Sequence, residues 1–186
     1  MPIDAYQALW LLFIAVWMLA ALTSKRTVRR QTSTSRIIQA ALTVLAFLLV
    51  FQPWRFESVD ARFVPATPIL TFCSFVLTAA GIGFAIWARF ALGRNWSGAV
   101  TLKQDHELIR HGPYRIVRHP IYLGMLLALL GTAIGYGRVP CLIGVAIAFL
   151  GFWIKWRTEE QFMVEQFGTQ YIQYRREVKA VIPGVL

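Results

Sequence analysis

Five long apolar runs dominate the chain and restrict it to a helical membrane fold. The runs cover Ala5–Leu22, Ile37–Phe51, Ile69–Leu92, Pro120–Tyr136 and Val139–Trp156. An α-helix needs roughly 20 apolar residues to cross the hydrocarbon core of a bilayer, and Gln52-Pro53-Trp54 extends the short second run into the interface, where Trp is favoured. The hydrophobic fraction is 57%, above the roughly 45–50% of soluble domains. We therefore predict an all-α integral membrane protein with five transmembrane helices.

The basic residues predict the orientation of these helices. If the N-terminus is outside, sixteen of the 19 Lys and Arg residues fall on the inner side and three on the outer side. This asymmetry follows the positive-inside rule and makes the C-terminus cytoplasmic. Arg89, near the end of the third run, is expected to reach the headgroups. The net charge of +10 lies mostly beside apolar runs and so suits anionic lipids better than nucleic acid.

The remaining sequence features predict neither a signal peptide nor a metal site. Asp4 stands where a signal peptide would be basic, and the basic cluster follows the first run, so a retained helix is predicted. Cys73 and Cys141 lie in different runs without metal-type spacing, and the three histidines lack the spacing of a compact ligand pair, so no metal is predicted. We predict one membrane domain, with a three-helix scaffold over residues 1–92 and a site region over residues 93–186.

The polar stretch from His106 to Gly124 holds all three histidines and enters the fourth run. Pro120 suits the first turn of a helix, and His119 precedes it as the cap. The helix N-terminus presents free N–H groups and partial positive charge, and Arg118 adds a full charge, so an anionic group such as a carboxylate fits here. Gly112-Pro113 predicts a turn. The alternative is an ordinary membrane-entry loop with basic anchors.

An acidic pair, Glu159-Glu160, follows the fifth run directly. Carboxylates at a membrane exit must be solvated, paired or functional. Lys155 lies four residues before Glu159, on the same helix face. The pair is therefore either a surface ion pair with Lys155 or a site for a cationic ligand, with Lys155 one turn deeper for a substrate.

The tail Arg157–Leu186 combines apolar residues at roughly helical spacing with basic residues. This pattern is typical of an amphipathic helix on the inner leaflet. The same segment is also suited to cover the pocket as a lid.

These motifs carry a family resemblance. The ordered set Gly112-x-Tyr114-x-x-x-Arg118-His119-Pro120-x-Tyr122-x-Gly124, then Glu159-Glu160, Phe167-Gly168-x-x-Tyr171-x-x-Tyr174 and Ile182-Pro183 resembles the isoprenylcysteine carboxyl methyltransferase family. That family overlaps in pattern with the phospholipid methyltransferases. The resemblance covers roughly residues 93–183.

The resemblance implies an all-helical membrane enzyme that uses S-adenosylmethionine at its cytoplasmic face. We expect it in the inner membrane of a bacterium, with membrane lipids around it and a lipophilic substrate arriving from the bilayer; no protein partner follows from the sequence. By similarity, the cofactor contacts His106, Glu107, Leu108, Ile109, Tyr114, His119, Pro120, Ile121, Tyr122 and Glu159.

The acceptor stays open at this point. Relatives that methylate prenylcysteine have an arginine four residues before the first glutamate, linked to the substrate carboxylate; here that position is Lys155, and Arg157 is nearby. Lysine keeps the charge and loses the bidentate fork. A carboxylate acceptor held by Lys155 needs no base, whereas an amine acceptor needs one, and Glu160 or His119 are the candidates. A phospholipid amine or a thiol is the alternative acceptor.

Two hypotheses compete with methyl transfer. A sterol-type membrane reductase would need a nicotinamide site, and no G-x-G-x-x-G context is present. A non-catalytic scaffold or small transporter is the other possibility. The five runs hold no charge near mid-membrane, which an ion pathway usually needs.

Overall fold

The computed structural model describes residues 3–22, 27–30, 33–51, 61–93, 96, 101–103 and 108–185. Within these ranges lie six α-helices, two short strands and a 3-10 turn. In chain order they are α1 (Ala5–Ala21), β1 (Thr27–Arg30), α2 (Ser33–Phe51), α3 (Pro68–Leu92), β2 (Thr101–Lys103), the 3-10 turn (Gly112–Arg115), α4 (Pro120–Tyr136), α5 (Val139–Phe167) and α6 (Thr169–Glu177).

The helices coincide with the five apolar runs. α2, α3 and α5 are long and apolar enough to cross a membrane, and α1 and α4 are apolar helices of 17 residues each. Large apolar side chains such as Leu11, Phe72 and Phe90 face outward. An outward apolar surface of this extent suits lipid rather than water, and the prediction of a helical integral membrane protein is confirmed.

The helical fold is as predicted, and it carries one small feature that the sequence did not predict. β1 and β2 form a two-stranded antiparallel sheet, with Thr27 opposite Lys103 and Arg30 opposite Thr101. Pairing satisfies backbone groups that would otherwise need water. The apolar pattern could not reveal this sheet because both strands lie in polar segments.

The fifth helix extends beyond its apolar run. α5 continues past Trp156 to Phe167, and Gly168, with φ of 52°, separates it from α6. A left-handed backbone angle is readily adopted by glycine. The predicted amphipathic tail therefore consists of the last turns of α5 followed by the short, separate α6.

Capping residues set where helices begin. Asp4 and Gln7 form a capping box at α1, since Asp4 Oδ1 accepts from Gln7 N at 2.8 Å and Gln7 Oε1 accepts from Asp4 N at 3.1 Å. Thr67 caps α3 through Leu70 N at 3.2 Å. These side chains satisfy N–H groups that have no partner inside the helix.

Small residues bring α3 and α4 into backbone contact. A Cβ added at Gly81 would lie 2.6 Å from Gly124 O, and one added at Gly131 would lie 2.7 Å from Thr78 N. Between α2 and α5, a Cβ at Gly144 would lie 2.8 Å from Ala46 O. At these positions the absence of a side chain lets the helix backbones approach closely.

The α3–α4 contact holds together the end of the molecule at which the candidate site lies. The last turns of α3, the 3-10 turn and the first turn of α4 meet there. Arg89, in the last turn of α3, is 1% exposed. The prediction that its side chain reaches the headgroups is therefore wrong: the guanidinium folds inward, where backbone carbonyls accept its hydrogen bonds.

Candidate active site

A 3-10 turn leads the chain into α4, as the Gly-Pro pair predicted. Gly112, with φ of 59°, is the first residue of the turn and Pro113 is the second. A Cβ at Gly112 would lie 3.8 Å from the Trp87 ring and from Ala91 Cβ, so the turn packs on the end of α3. This packing buries Tyr114, which is 7% exposed.

The C-terminal tail is attached to the same stretch through the main chain. Arg118 N donates to Lys179 O at 2.8 Å, and His119 N donates to Ala180 O at 2.9 Å. Ala180 and Val181 are buried. The tail residues after α6 therefore form part of the wall beside the start of α4.

Glu160 is the centre of the ionic contacts. Its Oε1 accepts from Arg118 Nε at 2.9 Å, Arg118 Nη2 at 2.6 Å and His119 Nε2 at 3.1 Å. Arg175 Nε lies 3.4 Å from Glu160 Oε2. Arg118 Nη1 donates in turn to the carbonyls of Arg175 and Val178. Both Glu160 and Arg118 are thus occupied by partners within the protein, and together they connect α4, α5 and the tail.

Glu159 has a different environment although it is the next residue. Tyr122 Oη donates to Glu159 Oε1 at 2.6 Å, and His119 Nδ1 lies 3.7 Å from Glu159 Oε2. The Glu159 side chain is 25% exposed, against 8% for Glu160. Glu159 is therefore the carboxylate of the pair that is accessible to a cationic ligand.

Aromatic rings line the space between α4 and α5 beside these carboxylates. The His119 and Tyr122 rings stack at 5.7 Å, and Tyr122 stacks on Phe152 at 5.1 Å. Trp156 lies 6.0 Å from His119 in a nearly parallel orientation. Lys155 Nζ lies 5.5 Å from the centre of the Tyr122 ring. The arrangement combines a cation, two carboxylates and flat apolar faces within two helical turns.

Buried tyrosines hold α6 against the turn. Tyr174 Oη donates to the Tyr114 carbonyl at 2.6 Å, and the Arg110 guanidinium lies 5.1 Å from the Tyr174 ring. Arg110 also pairs with Glu177. Burial raises the pKa of Tyr174 to about 12 and raises the pKa of Tyr171 further. Both side chains are therefore neutral hydrogen-bonding groups at physiological pH.

The structure brings together most of the residues that the sequence singled out. Seven of them surround the start of α4: Tyr114, Arg118, His119, Pro120, Tyr122, Glu159 and Glu160. Ile121 is buried at the start of α4, and Leu108 and Ile109 are half-buried before the 3-10 turn. His106 and Glu107 lie outside the described residues.

Arg157 is not brought to this cluster. It is exposed, and a residue two positions after Lys155 points to another side of the helix. Among the described residues, no group of three His, Cys, Asp or Glu side chains is arranged to hold a metal ion.

Sequence reasoning missed several partners in the site. Arg175, the Arg110–Glu177 ion pair and the ring of Trp156 were not predicted to take part. These contacts join residues from 15 to 67 positions apart, in the Arg175–Glu160, His119–Trp156 and Arg110–Glu177 contacts. The basic residues of the tail were the available signal for these contacts. A segment that covers an acidic pair can pair with it only through positively charged side chains.

Comparisons with known proteins identify the family of this chain. A phospholipid methyltransferase family model matches residues 69–170. The protein-S-isoprenylcysteine O-methyltransferase of Schizosaccharomyces pombe is 31% identical over 125 residues, which cover 62% of this chain and 53% of the relative. Protein-S-isoprenylcysteine O-methyltransferase A of Arabidopsis thaliana is 29% identical over 96 residues, which cover 50% of this chain and 49% of the relative. The chain thus spans about half the length of these relatives.

A solved structure has the same fold. The eukaryotic intramembrane Ras methyltransferase, isoprenylcysteine carboxyl methyltransferase, superposes with a TM-score of 0.63 at 21% identity, covering 97% of this chain and 65% of that one. The resemblance to isoprenylcysteine carboxyl methyltransferases predicted from the sequence motifs is confirmed.

Proposed function

Because this chain belongs to the phospholipid methyltransferase family, we propose that it transfers a methyl group from S-adenosylmethionine to a lipophilic acceptor. The favoured acceptor is the carboxylate of an isoprenylcysteine-like molecule, and a phospholipid amine is the second candidate. The first is supported by the relatives named for isoprenylcysteine, and the second by the phospholipid methyltransferase model. Membership of a methyltransferase family favours both over a reductase or a scaffold.

The proposal depends most on the environment of Glu159. S-adenosylmethionine supplies an electrophilic methyl group on a sulfonium, together with an ammonium and a carboxylate. Glu159 is held by Tyr122 and is one-quarter exposed, so its carboxylate is oriented and still accessible to positive charge. The rings of Tyr122 and Trp156 present the flat faces that cations and an adenine favour. The donor set therefore fits this cofactor.

We propose a positioning role for Glu160 and Arg118. Glu160 accepts three hydrogen bonds on one oxygen and faces Arg175 with the other, so it is poorly suited to act as a base. Arg118 is equally occupied. Their pairing holds His119 and the tail around the start of α4, whose first N–H groups have no partner inside the helix and attract anionic groups.

Lys155 is the proposed ligand of the acceptor carboxylate. It lies one helical turn before Glu159 and beside the Tyr122 ring, so an acceptor bound there would lie next to the cofactor site. A carboxylate is already ionised at neutral pH and needs no general base. The task of the protein is then alignment and exclusion of water, and good alignment can supply roughly 7–11 kcal/mol. Arg157 is proposed to face headgroups, because it is exposed.

The proposed topology has five spans with the N-terminus outside and the site at the cytoplasmic face. The charge distribution supports it, since sixteen Lys and Arg residues fall inside and three outside. The shorter helices α1 and α4 would then cross together with α2, α3 and α5. The relatives named above are eukaryotic, and a bacterial inner membrane stays a prediction without support from them.

Methyl-label transfer tests the function. Purified protein in lipid nanodiscs is supplied with labelled S-adenosylmethionine and one of four acceptors: a prenylcysteine, a fatty acid, phosphatidylethanolamine or a small thiol. We expect label on the prenylcysteine carboxylate as a base-labile ester. Label on phosphatidylethanolamine would select the amine acceptor, and label on neither lipid, with no donor binding by calorimetry, would refute methyl transfer.

Two substitutions assign the roles within that assay. Glu159→Gln should weaken donor binding at least about tenfold, because a charge-assisted contact is lost, whereas Glu165→Gln, an exposed change on the same helix, should not. Lys155→Gln should raise the KM of a carboxylate acceptor without changing donor affinity, and Lys155→Arg should restore it. Unchanged donor affinity in Glu159→Gln would refute the role of Glu159.

A further inference from the structure

Tyr122, in the first turn of α4, contacts two charged side chains of α5. Its hydroxyl donates to Glu159 Oε1 at 2.6 Å, and the centre of its ring lies 5.5 Å from Lys155 Nζ. In the proposed function, Glu159 meets the cationic methyl donor and Lys155 meets the acceptor carboxylate. One side chain of α4 thus joins two ligand-binding groups that lie one helical turn apart on α5.

The hydroxyl contact restricts the orientation of Glu159. An oxygen–oxygen distance of 2.6 Å is typical of a strong hydrogen bond to an ionised carboxylate. The other carboxylate oxygen, Oε2, lies 3.7 Å from His119 Nδ1, and the Glu159 side chain is 25% exposed. The resemblance implied that Tyr122 contacts the donor directly, whereas its hydroxyl proton is engaged by a carboxylate of the protein itself. Tyr122 therefore acts on the donor through Glu159.

The ring contact restricts the position of the Lys155 ammonium. A cation within roughly 6 Å of an aromatic centre is attracted to the ring. The Tyr122 ring is buried, and it stacks on Phe152 at 5.1 Å and on His119 at 5.7 Å. It cannot swing away from Lys155 without breaking both stacks and the hydrogen bond to Glu159. One immobilised ring therefore contacts the ammonium and the carboxylate together.

Methyl transfer depends on the spacing between these two charged groups. The donor sulfonium and the acceptor oxygen must be aligned, and a misplacement of about 1 Å can cost roughly a hundredfold in rate. Lysine and glutamate side chains have several rotatable bonds, so the α5 backbone alone does not set the distance between the ammonium and the carboxylate. A rigid group that contacts both side chains reduces this freedom.

We propose that Tyr122 is a positioning residue that sets the donor and acceptor sites relative to each other. Its hydroxyl orients Glu159 for the cationic donor, and its ring orients Lys155 for the acceptor carboxylate. This inference rests on the proposed function and assigns two separable tasks to one side chain. A tyrosine that only packed α4 on α5 would instead affect both sites together, through stability.

Two substitutions at Tyr122 separate the tasks. Tyr122→Phe removes the hydroxyl and keeps the ring, so the donor affinity should fall about tenfold while the KM of a prenylcysteine stays unchanged. Tyr122→Leu removes both, so that KM should in addition rise about two- to fivefold. Calorimetry with S-adenosylmethionine on protein in nanodiscs gives the donor affinity, and methyl-label transfer at saturating donor gives the KM.

Tyr136→Phe is the matched control on the same helix. Tyr136 donates to Asp4 Oδ2 at 2.8 Å at the other end of α4, so this variant loses the same kind of bond far from the site. Its donor affinity and KM should equal those of the wild type. Equal losses in Tyr136→Phe and Tyr122→Phe would overturn the proposal. Wild-type donor affinity in Tyr122→Phe, or a KM raised as much in Tyr122→Phe as in Tyr122→Leu, would also overturn it.

The ring contact has a second test that does not require Tyr122→Leu to fold. Fluorinated phenylalanines at position 122 weaken the attraction of the ring for a cation stepwise and keep its shape. The KM of the prenylcysteine should rise with each added fluorine, and the trend should vanish in a Lys155→Gln background. A KM that does not depend on fluorination, or a trend that persists without Lys155, would overturn the proposal.

The wild type distinguishes a failure of this inference from a failure of the proposed function. If the wild type neither binds S-adenosylmethionine nor transfers its methyl group, both fail. If it methylates only an amine, Lys155 has no acceptor carboxylate to hold, and the role of Tyr122 fails while methyl transfer stands. If it methylates the prenylcysteine and Tyr122→Phe retains full donor affinity, only the role of Tyr122 fails.

Discussion

The body of α4 and its N-terminal end are attached to the protein in different ways. Along the body, Gly124 and Gly131 allow backbone contact with Gly81 and Thr78 of α3. At the end, Arg118 and its neighbours are held by hydrogen bonds and ion pairs to α5 and the tail. The first contact depends on the absence of side chains and the second on matched charges. They should therefore fail under different substitutions and with different consequences.

Loss of the Glu160 charge should have the largest effect. Glu160→Gln leaves the buried Arg118 guanidinium without its counter-charge, and breaking a buried pair typically costs about 3–5 kcal/mol. Because the pair joins α4 to the tail, we expect α6 and the following residues to become sensitive to protease and donor affinity to fall. The α3–α4 contact should survive, so helical content measured by circular dichroism should change little.

Limited proteolysis with mass spectrometry checks this expectation. Glu165→Gln, an exposed change on the same helix, is the control and should leave the cleavage pattern unchanged. Wild-type protease resistance of the tail in Glu160→Gln would show that its other contacts, which include the main-chain bonds from Arg118 and His119, hold it without the Glu160 charge.

Gly81→Ala tests the other attachment and should cost less. Its Cβ would lie 2.5 Å from Ala128 N and 2.6 Å from Gly124 O, backbone atoms that cannot rotate away. Overpacking of this kind costs about 1–3 kcal/mol, and it should lower the thermal unfolding temperature without selective release of the tail. Gly83→Ala is the matched control, because a Cβ there meets nothing within 4 Å. Equal unfolding temperatures in the two variants would contradict a sterically fixed contact.

The scaffold was largely predictable from the sequence. Each of the five apolar runs corresponds to a helix, and α4 begins at Pro120 and ends at Tyr136 as predicted. Apolar length and the position of proline are local signals, which is why they suffice. The continuity of α5 into the predicted helical tail was not foreseen, because apolar length marks only the part of a helix that suits the bilayer. The β1–β2 sheet was missed because its pairing is non-local.

The site was predictable in its members and not in their roles. Arg118 and Glu160 were both singled out, yet their mutual pairing, which occupies both, joins positions 42 apart. Arg89 was expected at the headgroups because its sequence position is at a helix end, whereas the structure buries it between two helix ends. Periodicity assigns a residue to a helix face, and the partner on that face depends on how the helices pack.

The smallest expected effect is that of Tyr174→Phe. This variant separates the contribution of a hydrogen bond to the attachment of the tail from the contribution of charge. Tyr174 Oη donates to the Tyr114 carbonyl at 2.6 Å, and a hydrogen bond of this kind contributes about 0.5–1.5 kcal/mol. Tyr174→Phe should therefore release the tail to protease slightly at pH 8, far less than Glu160→Gln does. The comparison between these two variants measures how much of the attachment is ionic.

The pH dependence of the same variant sharpens this comparison. Burial raises the pKa of Tyr174 to about 12, above the value near 10 of an unfolded chain. Its stabilising contribution is therefore complete below about pH 10 and is lost as the pH rises through 12. The protection of the tail from chemical labelling, measured by mass spectrometry, is compared between wild type and Tyr174→Phe at each pH. The difference between the two proteins should be constant from pH 6 to 9 and shrink toward pH 11. A difference that stays constant to pH 11 would mean that the Tyr174 hydroxyl does not titrate with the attachment, and the tail would then depend on its ion pairs and main-chain bonds alone.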